Sequence, residues 1–114
     1  MDEYETRLNS LFDAFNKKDP EAGAAVLHPD VSWSNILGDQ RLEGREAVQQ
    51  MWATQFGRFN SHVSLLAVTP EGDEQVRARV YYVVQGLDGK VFTEEPAEHL
   101  FRFKDGLIVR MDLL

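Results

Sequence analysis

Val76-Arg77-Ala78-Arg79-Val80-Tyr81-Tyr82-Val83-Val84 decides how this chain folds. Val76, Ala78, Val80, Tyr82 and Val84 fall on one set of alternate positions, and Arg77, Arg79, Tyr81 and Val83 on the other. A period of two with one apolar face is that of a strand laid against a core. Downstream, Asp88-Gly89 and Asp105-Gly106 predict hairpin turns, because glycine accepts the positive φ such turns demand. They bound strands over about Lys90–Phe103 and Leu107–Leu113. Upstream, Glu71-Gly72-Asp73 is a third turn, preceded by a strand over about His62–Thr69.

Further upstream the period changes. Tyr4, Leu8, Leu11, Phe12 and Phe15 recur at three and four residues and give a first helix one apolar stripe. Asp19-Pro20-Glu21 starts a short second helix, with Asp19 as its N-cap, Pro20 in the first turn and an acid beside the positive helix end. That helix is expected over about Pro20 to Leu27, and its alanines predict close approach to a neighbour. A strand at about Val31–Leu37 separates it from a third helix, Gly44 to about Phe56, with Val48, Met51, Trp52 and Phe56 on one face. Helices followed by a run of hairpin-linked strands argue an α+β fold with an antiparallel sheet.

Length and charge set the outer bounds. A chain of 114 residues is one domain's worth, and at that size folding buries roughly two-thirds of the surface the unfolded chain exposes. There is no cysteine, hence no disulfide framework and no thiolate metal site. Met1 to Glu5 is acidic with no apolar run after it, so no secretory leader is expected. No apolar stretch approaches the ~18 residues of a membrane span, and a cytoplasmic location is expected. The net charge of −7, with acids and bases interspersed, repels phosphate backbones; neither nucleic acid nor membrane is an expected partner.

Several segments carry a resemblance. Phe12-Asp13-Ala14-Phe15-Asn16 ahead of Asp19, His28-Pro29-Asp30-Val31-Ser32-Trp33 and Gly44-Arg45-Glu46-Ala47-Val48 are three of them. Glu98-His99-Leu100-Phe101-Arg102-Phe103, followed by Asp105-Gly106-Leu107-Ile108-Val109-Arg110-Met111, completes the set. In this order the chain resembles, over nearly its whole length, the nuclear transport factor two-like, or SnoaL-like, superfamily that includes ketosteroid isomerases and polyketide cyclases. The resemblance implies a cone-shaped α+β barrel: a curved antiparallel sheet wrapped around about three N-terminal helices, with a hydrophobic cavity between. It also implies a homodimer through the convex sheet face, where Arg77, Arg79, Tyr81 and Val83 mix cations with aromatic and aliphatic surface. A solvated face covered by arginine stems is the plainer reading.

Carried over position by position, the isomerase machinery is not retained. Leu11 stands where the tyrosine donor would be, and Asn35 where the general base would be. The third group, a protonated aspartate donor, falls on His99 in one alignment and on Glu98 in another. His99 shares parity with Phe101 and Phe103, so it faces the cavity if they do. There it would serve as acid, base or hydrogen-bond donor, or it would be a half-buried histidine tied to a backbone carbonyl or to Asn35. Expected pocket residues are Leu11, Trp33, Asn35, Trp52, Tyr82, Phe101 and Met111, with His99 the candidate catalytic group. Trp33, Met51 and Trp52 would be core in any case, and Tyr82 is the best hydroxyl donor left. Glu95 and Thr93 share the parity of His99 unless Pro96 introduces a bulge. His28, at the end of the second helix, and His62 look ordinary. No metal or cofactor is expected, since no His-x-His, His-Glu-x-x-His, P-loop or Gly-x-Gly-x-x-Gly pattern occurs.

Three readings follow. The chain binds an apolar small molecule such as a polyketide, terpenoid or steroid-like ring system; or it is an isomerase, cyclase or hydrolase that uses His99 for proton transfer; or it is an interaction module whose cone is filled by side chains. Pocket volume separates the third, because drug-sized sites run to several hundred Å³.

Overall fold

A computed structural model describes residues 2–34 and 41–114. Helix α1 (Asp2–Asn16) and the single-turn α2 (Pro20–Ala24) lead into strand β1 (Leu27–Ser34) and a short β2 (Arg41–Glu43). Helix α3 (Arg45–Arg58) follows, and then β3 (Phe59–Pro70), β4 (Gln75–Gly86), β5 (Val91–Lys104) and β6 (Leu107–Leu113). The α+β class and the element order are those expected; β2 is an addition. Helix two ends at Ala24, earlier than expected, so His28 lies inside β1, where its Nδ1 accepts from the Asp30 N–H at 3.0 Å. The cap is as expected: Asp19 Oδ1 accepts from the Ala22 N–H at 3.1 Å.

The strands form one curved, unclosed sheet in the order β2-β1-β6-β5-β4-β3. All neighbours are antiparallel except β1 and β6, which run parallel. Those two strands are far apart in sequence and β1 enters from α2, so no hairpin forces them to oppose. At the Asp105-Gly106 turn both residues have positive φ, 55° and 78°, the conformation that matches the twist of a tight hairpin. The turn at Asp88-Gly89 is longer: the Gly89 N–H donates to the Gly86 carbonyl at 3.0 Å and Gly89 takes the left-handed position at φ 88°.

The apolar face of β4 behaves as its alternation demands, with Val76, Ala78 and Val80 fully buried. Onto it pack Leu8, Leu11 and Phe12 of α1 and Val48 and Trp52 of α3. Gly23 of α2 lies so close to α3 that an added Cβ would stand 2.7 Å from the Trp52 ring, the close approach that the small residues of this helix predict. Helix α1 is also tied to the outer edge of β3. The Asn16 amide donates to the Val63 carbonyl and accepts from the Val63 N–H, both at 2.8 Å. Next to it, Lys18 donates to the Ser61 carbonyl. No described helix is long and apolar enough to cross a membrane.

Candidate functional site

Between the sheet and helices α1 and α3 lies a cavity of about 70 Å³. Its inner wall is Leu11 and Phe12 of α1, Trp33 of β1, Trp52 of α3 and Met111 of β6. The two indoles meet edge to face, centroids 5.4 Å apart and planes at 90°, a favoured aromatic arrangement. Toward the mouth the wall passes to Gln55, Phe59, Ser61, Tyr82 and Val84, all half-buried. Such a volume is well short of the several hundred Å³ of a drug-sized site. It is nonetheless larger than a packing defect that excludes water.

The structure brings Leu11, Trp33, Trp52, Tyr82, His99 and Met111 together around this cavity. Phe101 stands behind the wall rather than on it: fully buried, it packs its ring 6.2 Å from Trp33, 6.2 Å from Phe12 and 5.9 Å from His99. Asn35 lies outside the described residues. The sequence reading did not single out Phe59, Ser61 and Val63 of β3, which line the opening. Their alternate spacing was the available signal.

Among the described residues His99 is the one buried polar side chain of the site. It is 5% exposed, and neither ring nitrogen has a hydrogen-bond partner among the described residues. It sits between Ala78 of β4 and Leu113 of β6 in the ladder. Glu98, the other candidate for this position, points to the opposite face, where it meets the Arg77 guanidinium at 3.4 Å. Removal from water disfavours the imidazolium and lowers the His99 pKa to about 4, so the ring is neutral at physiological pH. A neutral imidazole offers one N–H donor and one nitrogen acceptor. An unpaired buried polar group costs about 1–3 kcal/mol.

Tyr82 occupies the next cavity-facing step but one, and its phenol donates to the Glu95 carboxylate. That hydrogen bond first, then burial and the carboxylate charge, raise the Tyr82 pKa to about 12. The hydroxyl is thus spoken for at rest. The ladder runs through Pro96 without a shift, so Glu95 keeps the parity of His99. Proline is tolerated there because β6 ends opposite His99, leaving that flank of β5 unpaired. The extra residue lies elsewhere: Val84 pairs with Thr93 and Gln85 with Val91, which leaves Phe92 bulged. Among the described residues no three His, Cys, Asp or Glu side chains gather as a metal site would require.

A family model described as a SnoaL-like domain matches residues 8–111. A Mycobacterium tuberculosis protein crystallised in complex with estradiol-17β-hemisuccinate has a similar structure at TM-score 0.85 and 17% identity, over 97% of this chain and 92% of that one. A cystatin-fold protein of uncharacterised role from Novosphingobium aromaticivorans gives 0.82 and 18%, over 100% and 98%. A Xanthomonas campestris pv. campestris protein described as a candidate polyketide cyclase gives 0.81 and 22%, over 98% and 89%. Identities this low show a common fold. Among curated proteins none matches.

Proposed function

The chain belongs to the SnoaL-like domain family, and from that premise we propose that it is a one-domain binding protein for an apolar small molecule carrying one hydroxyl or carbonyl group. The observation that carries this reading is His99: a neutral imidazole, both nitrogens unpaired among the described residues, in a mostly apolar cavity. A ligand that brings one hydrogen-bonding group to that ring recovers the cost of burying it. The remaining surface selects by shape and apolar area. Polyketides, terpenoids and steroid-like molecules have this chemistry, and two structural relatives point the same way, one solved with an estradiol ester and one described as a candidate polyketide cyclase. The resting cavity admits a slender molecule; a fused ring system requires Gln55, Phe59 or Tyr82 to swing outward.

The test pairs alcohols or ketones with hydrocarbons of the same skeleton in a thermal-shift titration. At a hundred times its dissociation constant a ligand stabilises by ~2.7 kcal/mol. A preference for the oxygenated partner that disappears in His99→Leu supports the reading. Equal shifts from both partners, or none from any, overturn it.

A catalytic reading is favoured by the same residue, since a neutral imidazole in a dry site can accept a proton from carbon or oxygen. In that case His99→Gln binds the ligand and loses turnover. For the convex face, self-association is supported by Arg79 and Tyr81, both exposed beside the Arg77–Glu98 pair. Light scattering of Tyr81→Glu against the unmodified chain decides it: a dimer should fall to half its mass.

A further inference from the structure

Beyond the cavity mouth, the β4–β5 hairpin exposes Leu87, Val91 and Phe92, three of the few large apolar side chains the fold leaves in solvent. Phe92 is 63% exposed, yet its ring has a defined place. As the extra residue of the bulge it is turned out of the alternation of β5. Its ring lies against Gly86, where a Cβ would stand 3.2 Å from it, and meets Phe59 edge to face at 5.9 Å. Gly86 shares the parity of Tyr82 and Val84 and pairs with Phe59, so this aromatic pair is on the cavity side of the sheet. Bulges next to binding sites commonly re-aim a side chain in this way, and a strand glycine often marks the close approach of another group.

Phe59 is therefore both the outermost wall of the cavity and one half of an exposed aromatic pair. We infer that Phe59 and Phe92 form an outer subsite of the same pocket, a clamp for the far end of an elongated apolar ligand whose polar group is at His99. This rests on the pocket being a binding site. Along β4, Ala78, the neighbour of His99, and Gly86, the neighbour of Phe59, are eight residues apart, about 26 Å at strand rise. A compact ligand fills only the inner part of that path. A long one covers Phe92 and gains affinity from surface that otherwise faces water.

A series of para-alkylphenols from ethyl to dodecyl, the longest reaching most of the way along that path, tests this, with the full chain and the fluorescence of Trp33 and Trp52 as readout. Each methylene that leaves water adds about fourfold in affinity. In the unmodified protein the gain should continue through the longest chains. In Phe92→Ala, ethylphenol should bind within twofold of the unmodified protein and dodecylphenol about tenfold more weakly. Gly86→Ala, whose Cβ would stand 3.2 Å from the ring and 2.9 Å from the Asp88 carboxylate, should displace the ring and reproduce that length-dependent loss. If Phe92→Ala binds every length like the parent, or weakens all lengths equally, the outer subsite is wrong while the pocket stands. If no phenol binds the unmodified protein, the pocket reading fails and the subsite with it.

Discussion

Strand β5 is two different strands laid end to end. From Ala97 to Lys104 it alternates between buried and outward residues, with His99, Phe101 and Phe103 inside, and from His99 to Arg102 both β4 and β6 flank it. From Val91 to Pro96 it has β4 alone beside it and every residue is exposed, on both faces. Composition does not explain the contrast, because Val91 and Phe92 are as apolar as anything in the inner half. What differs is coverage. β6 ends opposite His99, so the inner half is enclosed on both flanks and the apolar groups of the outer half are left in solvent.

The sharpest way to break that comparison is to truncate one phenylalanine from each half. Phe101→Ala should cost about 3–5 kcal/mol by urea unfolding, the range for emptying a packed aromatic site. Phe92→Ala should change stability by less than about 0.5 kcal/mol. Comparable losses would mean the outer half contributes to the core after all.

Acid probes the boundary between the halves. The unfolded chain takes up a proton at His99 near pH 6.5, while the folded site refuses it until about pH 4. Between those values the unfolded state binds more protons, so stability falls as pH drops, by on the order of 3 kcal/mol across the window. His99→Leu should flatten that slope in pH-dependent urea melts. Asp112 does not confuse the result: the Arg110 hydrogen bond holds its pKa below the usual carboxylate range, so its contribution is lost only at lower pH. At neutral pH the same variant should be about 1 kcal/mol more stable than the parent, because it removes an unpaired buried group; a stability gain paired with lost ligand preference is the signature of a residue kept for binding.

Inside the covered half, Gly23→Ala should cost about 1–3 kcal/mol by pushing the Trp52 ring, and it should shift tryptophan emission. The smallest effect belongs to the exposed half. Glu95→Gln should lower the Tyr82 pKa from about 12 toward the ordinary phenol value in an absorbance titration, with little change in stability.

The covered half was readable from the chain because burial imposes period. The alternation of β4, the stripe of α1 and the parity of His99 with Phe101 and Phe103 all report which side meets the core. Parity put Phe101 on the correct face but not behind the cavity wall, since depth depends on the size of its neighbours. In the exposed half the same arithmetic lost its hold. Pro96 suggested a bulge and has none, while the bulge at Phe92 carries no proline; Gly86, across the ladder, was its sequence mark. The parallel pairing of β1 with β6, the β2 strand and the cavity volume depend on contacts between distant segments, which local patterning does not encode. The α+β order and the buried face of the curved sheet could thus be read, and the rim could not.

Asn16 has a consequence for time rather than for structure. Val63 lies on the outermost strand of the sheet, where amide hydrogens ordinarily trade with solvent within the fluctuations of a loose edge. Its N–H and carbonyl are instead both held by one side-chain amide, which acts as a further strand one residue long. In deuterated water the Val63 amide should keep its proton as long as those in the middle of β4, and release it early in Asn16→Ala. The margin through which another chain could add itself to this sheet is guarded at that point by a helix, forty-seven residues away in sequence.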